Sequence, residues 1–100
     1  MKECCEKHLY EQFGQETAED LYKLYVESVA EKLAELEEAL QAEDWAKLDA
    51  AAHTIKGNAL AAGDAQMAIV AIEMRSAAEL HATERCSELI SKVKMLQSKL

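Results

Sequence analysis

Residues Asp44 to Gly63 read DWAKLDAAAHTIKGNALAAG. Set out at about 100° per residue, Leu48, Ala51, Ala52, Ile55, Ala59 and Ala62 gather on one arc. This is the period of an amphipathic helix, with Asp44 placed to cap its start and Gly63 to stop it in a left-handed conformation. The same sorting puts His53 about 140° from the centre of the arc, out toward solvent. One turn away on that side stand Asp49, Lys56, Gly57 and Leu60. A glycine in an exposed helix costs about 1 kcal/mol relative to alanine. In a helix otherwise rich in alanine, Gly57 therefore points to a need for open space beside the imidazole.

Upstream, Glu3 to Phe13 carries Cys5, Leu9 and Phe13 at helical spacing before Gly14, as a short lid across a bundle end would. Thr17 with Asp20 three residues later resembles a capping box. The helix it opens is expected to run to about Gln41, with Leu21, Leu24, Tyr25, Val29, Leu33, Leu36 and Leu40 as its apolar stripe. Downstream, Asp64 can cap a helix from Ala65 to His81 whose stripe is Met67, Val70, Ala71, Met74 and Ala78, continued by His81. Ile69 and Ile72 fall off that stripe. Thr83 can cap a last helix from Glu84 onward, and Met67, Met74 and Met95 read as core. Loops of a few residues force long helices to lie antiparallel. The reading is a single all-α domain over residues 1–100, an up-and-down antiparallel four-helix bundle with a short N-terminal capping helix.

Composition narrows the function. Eleven Lys+Arg against nineteen Asp+Glu give a formal net charge of -8, which disfavours nucleic acid and anionic membrane surfaces and leaves a protein as the partner. No apolar run reaches the roughly 20 residues of a membrane span. The charged start Met1 to Lys7 has no apolar segment behind it, so a cytoplasmic monomer is expected. Cys4, Cys5 and Cys86 are odd in number and two are adjacent, as free thiols would be. No i, i+4 histidine pair or C-x-x-C spacing marks a metal site, and Cys4-Cys5 with His8 is the only local grouping that offers one. Neither a metal nor another cofactor is expected. There is no glycine-rich loop and no length for an ATP-binding domain, so the chain is not expected to phosphorylate itself.

An exposed imidazole is nucleophilic when neutral, and its second nitrogen can be oriented by a hydrogen bond. Lys56 can offset the charge of a phosphoryl group nearby. Together, His53-Thr54-Ile55-Lys56-Gly57, with Gly63 ten residues after the histidine, resemble the signature of the histidine phosphotransfer family. The wider pattern is similar too: Leu9 to Gly14, Ala39-Leu40 with Asp44 and Leu48, then Met67, Ala68, Val70 and Met74. The resemblance implies that His53 carries a phosphoryl group on its outer ring nitrogen and exchanges it with the aspartate of a response-regulator receiver domain. It also implies that Lys56 helps hold the group and that Gly57 leaves room for the receiver. Leu60, Asp49 and Arg75 are candidates for receiver docking. A hybrid or separate histidine kinase would supply the phosphoryl group, and Mg²⁺ would belong to the receiver. The family often has Glu or Gln near Arg75 to orient the imidazole, where this chain offers a cation. Two further readings stay open: a non-catalytic helical adaptor, which would take up no phosphate, and the phosphate-accepting domain of a chemotaxis-type histidine kinase.

Overall fold

Short breaks divide the chain into five helices in the computed structural model, which describes residues 1–100: α1 (Glu3–Phe13), α2 (Gln15–Gln41), α3 (Trp45–Ala62), α4 (Ala65–Glu79) and α5 (Thr83–Gln97). Helices α2 to α5 pack each on its chain neighbour, and α5 returns to α2 to close the bundle, while α1 lies against α2 and the end of α3. The all-α bundle with a short leading helix read from the sequence is thus the architecture.

Three turns share one construction. At the end of α3, Gly63 takes φ 79 and ψ 19, its N–H donates to the Leu60 carbonyl, and the Asp64 N–H donates to the Ala59 carbonyl. Glu43 and His81, both at φ 52, do the same after α2 and α4. These are Schellman stops, in which the last carbonyls of a helix find donors in the residues that leave it. In each case the next residue starts the following helix. Asp44 and Asp64 accept from the N–H groups of Lys47 and Met67, as a side-chain cap should. Ala82, in the same backbone conformation, has no side chain able to do so.

Several sequence expectations are corrected here. Thr17 is not the cap of α2, because Gly14 at φ 80 lets that helix begin at Gln15, with the Gly14 carbonyl accepting from Ala18. Thr83 is the first helical residue of α5, with Ala82 ahead of it at the cap position. His81 is exposed and does not continue the core stripe of α4. As the left-handed residue of its turn, it turns away and stacks its ring on Trp45, with centroids 4.9 Å apart and planes 7° apart. Leu24 is 61% exposed, and the buried face of α2 is Ala18, Tyr22, Tyr25, Val29, Leu33, Leu36 and Ala39. Tyr22 can take the inner position because its hydroxyl is served there, donating to the Leu100 carbonyl and accepting from the Lys2 N–H. Phe13 and Met95 are about half exposed, since the inward face of α1 ends at Leu9 and that of α5 is Cys86, Leu89, Ile90, Val93 and Leu96.

The alanine-rich arc of α3 is buried as read: Leu48, Ala51, Ala52, Ile55, Ala59 and Ala62 all lie in the core. So do Met67, Val70, Ala71, Met74 and Ala78 of α4. With its apolar side fixed between α2 and α4, α3 presents the opposite side to solvent. No helix is long and apolar enough to cross a membrane.

Candidate functional site

Because the core arc of α3 is fully packed, the direction of its outer residues is set. His53, Gly57 and Leu60 are exposed, while Asp49 and Lys56 are half-buried along the seam with α4. Facing them across the seam is Arg75. Its Nε donates to Asp49 Oδ1 at 2.9 Å and its Nη2 reaches Asp49 Oδ2 at 3.5 Å. Its remaining arm, Nη1, donates to His53 Nδ1 at 3.0 Å. The hydrogen bond and charge of Asp49 hold the Arg75 guanidinium above its ordinary pKa. His53 is therefore oriented by a side chain of α4, through a cation that a side chain of its own helix anchors.

Lys56 and Ile72 line the same cleft as Asp49 and Arg75, a hollow of about 460 Å³ that runs on to Trp45 and His81. Lys56 takes part in none of the seven ion pairs of the molecule. A Cβ added at Gly57 would meet nothing within 4 Å, so the space beside the imidazole is open. Leu60 is 57% exposed, and Ile69 and Ile72 of α4 are also exposed. The antiparallel register fixed by Arg75 on His53 brings Ile72 level with Lys56 and Ile69 level with Leu60. On the other flank of α3, Asn58 donates to Ser28 of α2 at 2.7 Å, beside an apolar groove lined by Phe13, Leu24 and Ala61.

The other two histidines are engaged elsewhere. His8 packs against the backbone of Gly63, where its Cβ lies only 2.5 Å from the position a glycine Cβ would occupy. His81 is stacked on Trp45. Cys5 is buried while Cys4 is exposed, and no three His, Cys, Asp or Glu side chains converge as a metal site would require.

A family profile described as the Hpt domain matches residues 8–99, a span that includes this outward imidazole on α3. The chain belongs to the Hpt domain family. No curated protein and no solved structure is a significant match to it. As an Hpt domain it has histidine phosphotransfer in phosphorelay signalling as its class of activity. The match covers the second half of α1, from His8, and the whole of α2 to α5, so the helices that build this site lie inside it.

Sequence reasoning gathered His53, Lys56, Gly57 and Leu60 on one face, because their angles follow from one helix. It set Ile72 off the core stripe without assigning it to the site and named Arg75 only as a docking candidate, since the place of both beside the ring depends on the register between two helices. The advance signals were the i, i+3 spacing of Ile69, Ile72 and Arg75 on one side of α4 and the family resemblance that puts an imidazole-orienting residue near Arg75.

Proposed function

We propose that His53 is the phosphoryl-carrying residue of this Hpt domain, loaded by a histidine kinase or a phosphorylated receiver and unloaded onto a receiver aspartate. One observation carries the reading. Of the three histidines, only His53 stands exposed on a helix face with its outer ring nitrogen unbonded, empty space one turn away and an unpaired ammonium, that of Lys56, on the same seam. In transfer, a lone pair on the outer ring nitrogen attacks phosphorus, the bond from phosphorus to the aspartate oxygen breaks, and the carboxylate leaves. The ring then releases its proton to solvent. The transition state is loose, so it needs in-line positioning and charge neutralisation more than further covalent chemistry. The receiver with its Mg²⁺ supplies most of that, and Lys56 and Arg75 add cations from the carrier side. Gly57 lets the receiver backbone come close, and Leu60 with Ile69 and Ile72 gives apolar surface beside the reacting ring.

The test is incubation with phosphorylated receivers, followed by mass spectrometry to locate acid-labile phosphate. His53→Gln should take up none while keeping its helical circular dichroism, and His8→Gln and His81→Gln should load normally. Uptake that persists in His53→Gln would overturn the assignment.

A further inference from the structure

Arg75 is bonded to the ring in a way that has a definite chemical consequence. A guanidinium has only donors, so His53 Nδ1 must accept, using its lone pair. A neutral imidazole has one N–H and one lone pair. With Nδ1 accepting, the hydrogen sits on Nε2, and the outward nitrogen has no lone pair with which to attack phosphorus. Once Nε2 carries a phosphoryl group, however, a bare Nδ1 is the neutral form of the ring, and Arg75 matches it.

We propose that Arg75 is a positioning residue that selects the tautomer of His53, restraining the resting ring from attack and holding the phosphorylated ring in its hydrolysis-resistant, unprotonated form. The proposal rests on His53 being the carrier. Loading then requires Arg75 to let go of the ring, remaining on Asp49. The proton moves to Nδ1, the freed Nε2 lone pair forms the N–P bond, and the P–O bond to the donor aspartate breaks. The Nδ1 proton passes to solvent and Arg75 returns to that nitrogen. Loss of phosphate to water is fastest when Nδ1 is protonated, because imidazolium is converted to a good neutral leaving group. The hydrogen bond from Arg75 occupies the site of that proton, so protonation there requires Arg75 to be displaced from the ring.

Of the surrounding charges, Lys56 also disfavours a proton on the ring, Glu79 favours one, and the others are paired. From α3, Asp49 is neutralised by its pairing with Arg75, and Lys56 adds a cation. From α4, Glu79 lies farther along the cleft. From α2, the register set by Asn58 on Ser28 brings Lys32 and Glu35 to the level of His53, and those two pair with each other at 3.1 Å.

The experiment uses the full chain with ¹⁵N-labelled histidine. Two-bond ¹H–¹⁵N spectra of the neutral ring should show Nε2–H in the wild type and a shift toward Nδ1–H in Arg75→Gln, whose carbonyl can accept from Nδ1. Arg75→Lys, which keeps a charged donor, should retain Nε2–H. After loading with phosphoramidate, Arg75→Gln should lose phosphate about tenfold faster than wild type at mildly acidic pH, a difference of about one unit in the acid limb of the profile. Nδ1–H in the wild type, or a hydrolysis profile unmoved by Arg75→Gln, would overturn the proposal. Failure of His53 to load at all would instead sink the carrier reading, while the tautomer spectra would still judge Arg75.

Discussion

Nothing inside the folded chain requires glycine at position 57, where an added Cβ meets no atom within 4 Å. Helix propensity alone then predicts that Gly57→Ala stabilises the protein by about 1 kcal/mol. A long side chain is a different matter. Gly57→Gln should fold as well as wild type but transfer phosphate slowly, because the obstruction lies on the partner's side of the surface. Thermal melts and transfer from a phosphorylated receiver, measured on both variants, check this; normal transfer by Gly57→Gln would remove the position from the docking face. Lys56 allows a similar separation. Its ammonium has no ion-pair partner within the molecule, so Lys56→Ala should leave the melting temperature nearly unchanged. It should shorten the lifetime of phosphorylated His53 or slow transfer, and a variant equal to wild type in both would take Lys56 out of the site. Both residues were legible in the sequence because side-chain direction on one helix follows from local geometry. The contact of Arg75 with the ring was not, because it depends on which side chain of α4 meets His53 across the seam.

At the scale of elements, the three turns that join α2 to α3, α3 to α4 and α4 to α5 place one left-handed residue and then one capping position, and the chain fills them unequally. Glu43-Asp44 and Gly63-Asp64 supply a cap, whereas His81-Ala82 does not. Since Ala82 has φ -83 and ψ 83, close to Asp44 at φ -87 and ψ 84, an aspartate there is already in position to accept from the Arg85 N–H. Ala82→Asp should raise stability by about 1 kcal/mol, and Asp44→Ala should lower it by a similar amount. Urea unfolding of the two variants tests the pair, and a destabilised Ala82→Asp would show that packing of the alanine outweighs the cap. The same turns explain where reading the helices from sequence succeeded. Asp44 and Asp64 were recognised because aspartate announces a cap, and Gly63 because glycine announces a stop. His81 was placed inside α4 because it continues the 3.6-residue spacing of the stripe, and nothing in its own chemistry announces a left-handed turn. Leu24 was assigned to the core because apolarity favours leucine over tyrosine, while in the fold Tyr22 joins Tyr25 on the inner face in its place and both tyrosine hydroxyls find partners there.

Those partners belong to the scale of the whole molecule, because they join residues far apart in the chain. The Asp64 carboxylate is fully buried and accepts from Lys2 Nζ at 2.9 Å and from the Tyr25 hydroxyl at 2.8 Å, as well as capping α4. Separations of 62 and 39 residues put these contacts beyond any pattern on one helix. Next to this group lies Cys5, whose thiol is raised from 9.0 to about 12, first by burial and then by the nearby Cys4 and Asp64. Burial, with Asp64 adding to it, likewise raises Tyr25, and burial raises Cys86. For Lys2, burial acts to lower the value, but the hydrogen bond and charge of Asp64 outweigh it and the net shift is upward. All four shifts have the same sign. A group that holds its proton more tightly when folded contributes stability that is complete below its unfolded pKa and is lost as pH climbs through the folded one. The bundle should therefore weaken on the alkaline side, beginning near pH 9.0, where an unfolded Cys5 would ionise, and continuing toward about 12. Cys5→Ala removes one of these groups together with its packing. At neutral pH it should cost about 1–2 kcal/mol through the small void it leaves. Above pH 9.0 its stability should fall less steeply than that of wild type, so that the two curves converge. Denaturant unfolding under reducing conditions, repeated from neutral to alkaline pH, gives both curves. If they stay parallel, the buried thiol does not hold its proton in the way its surroundings require.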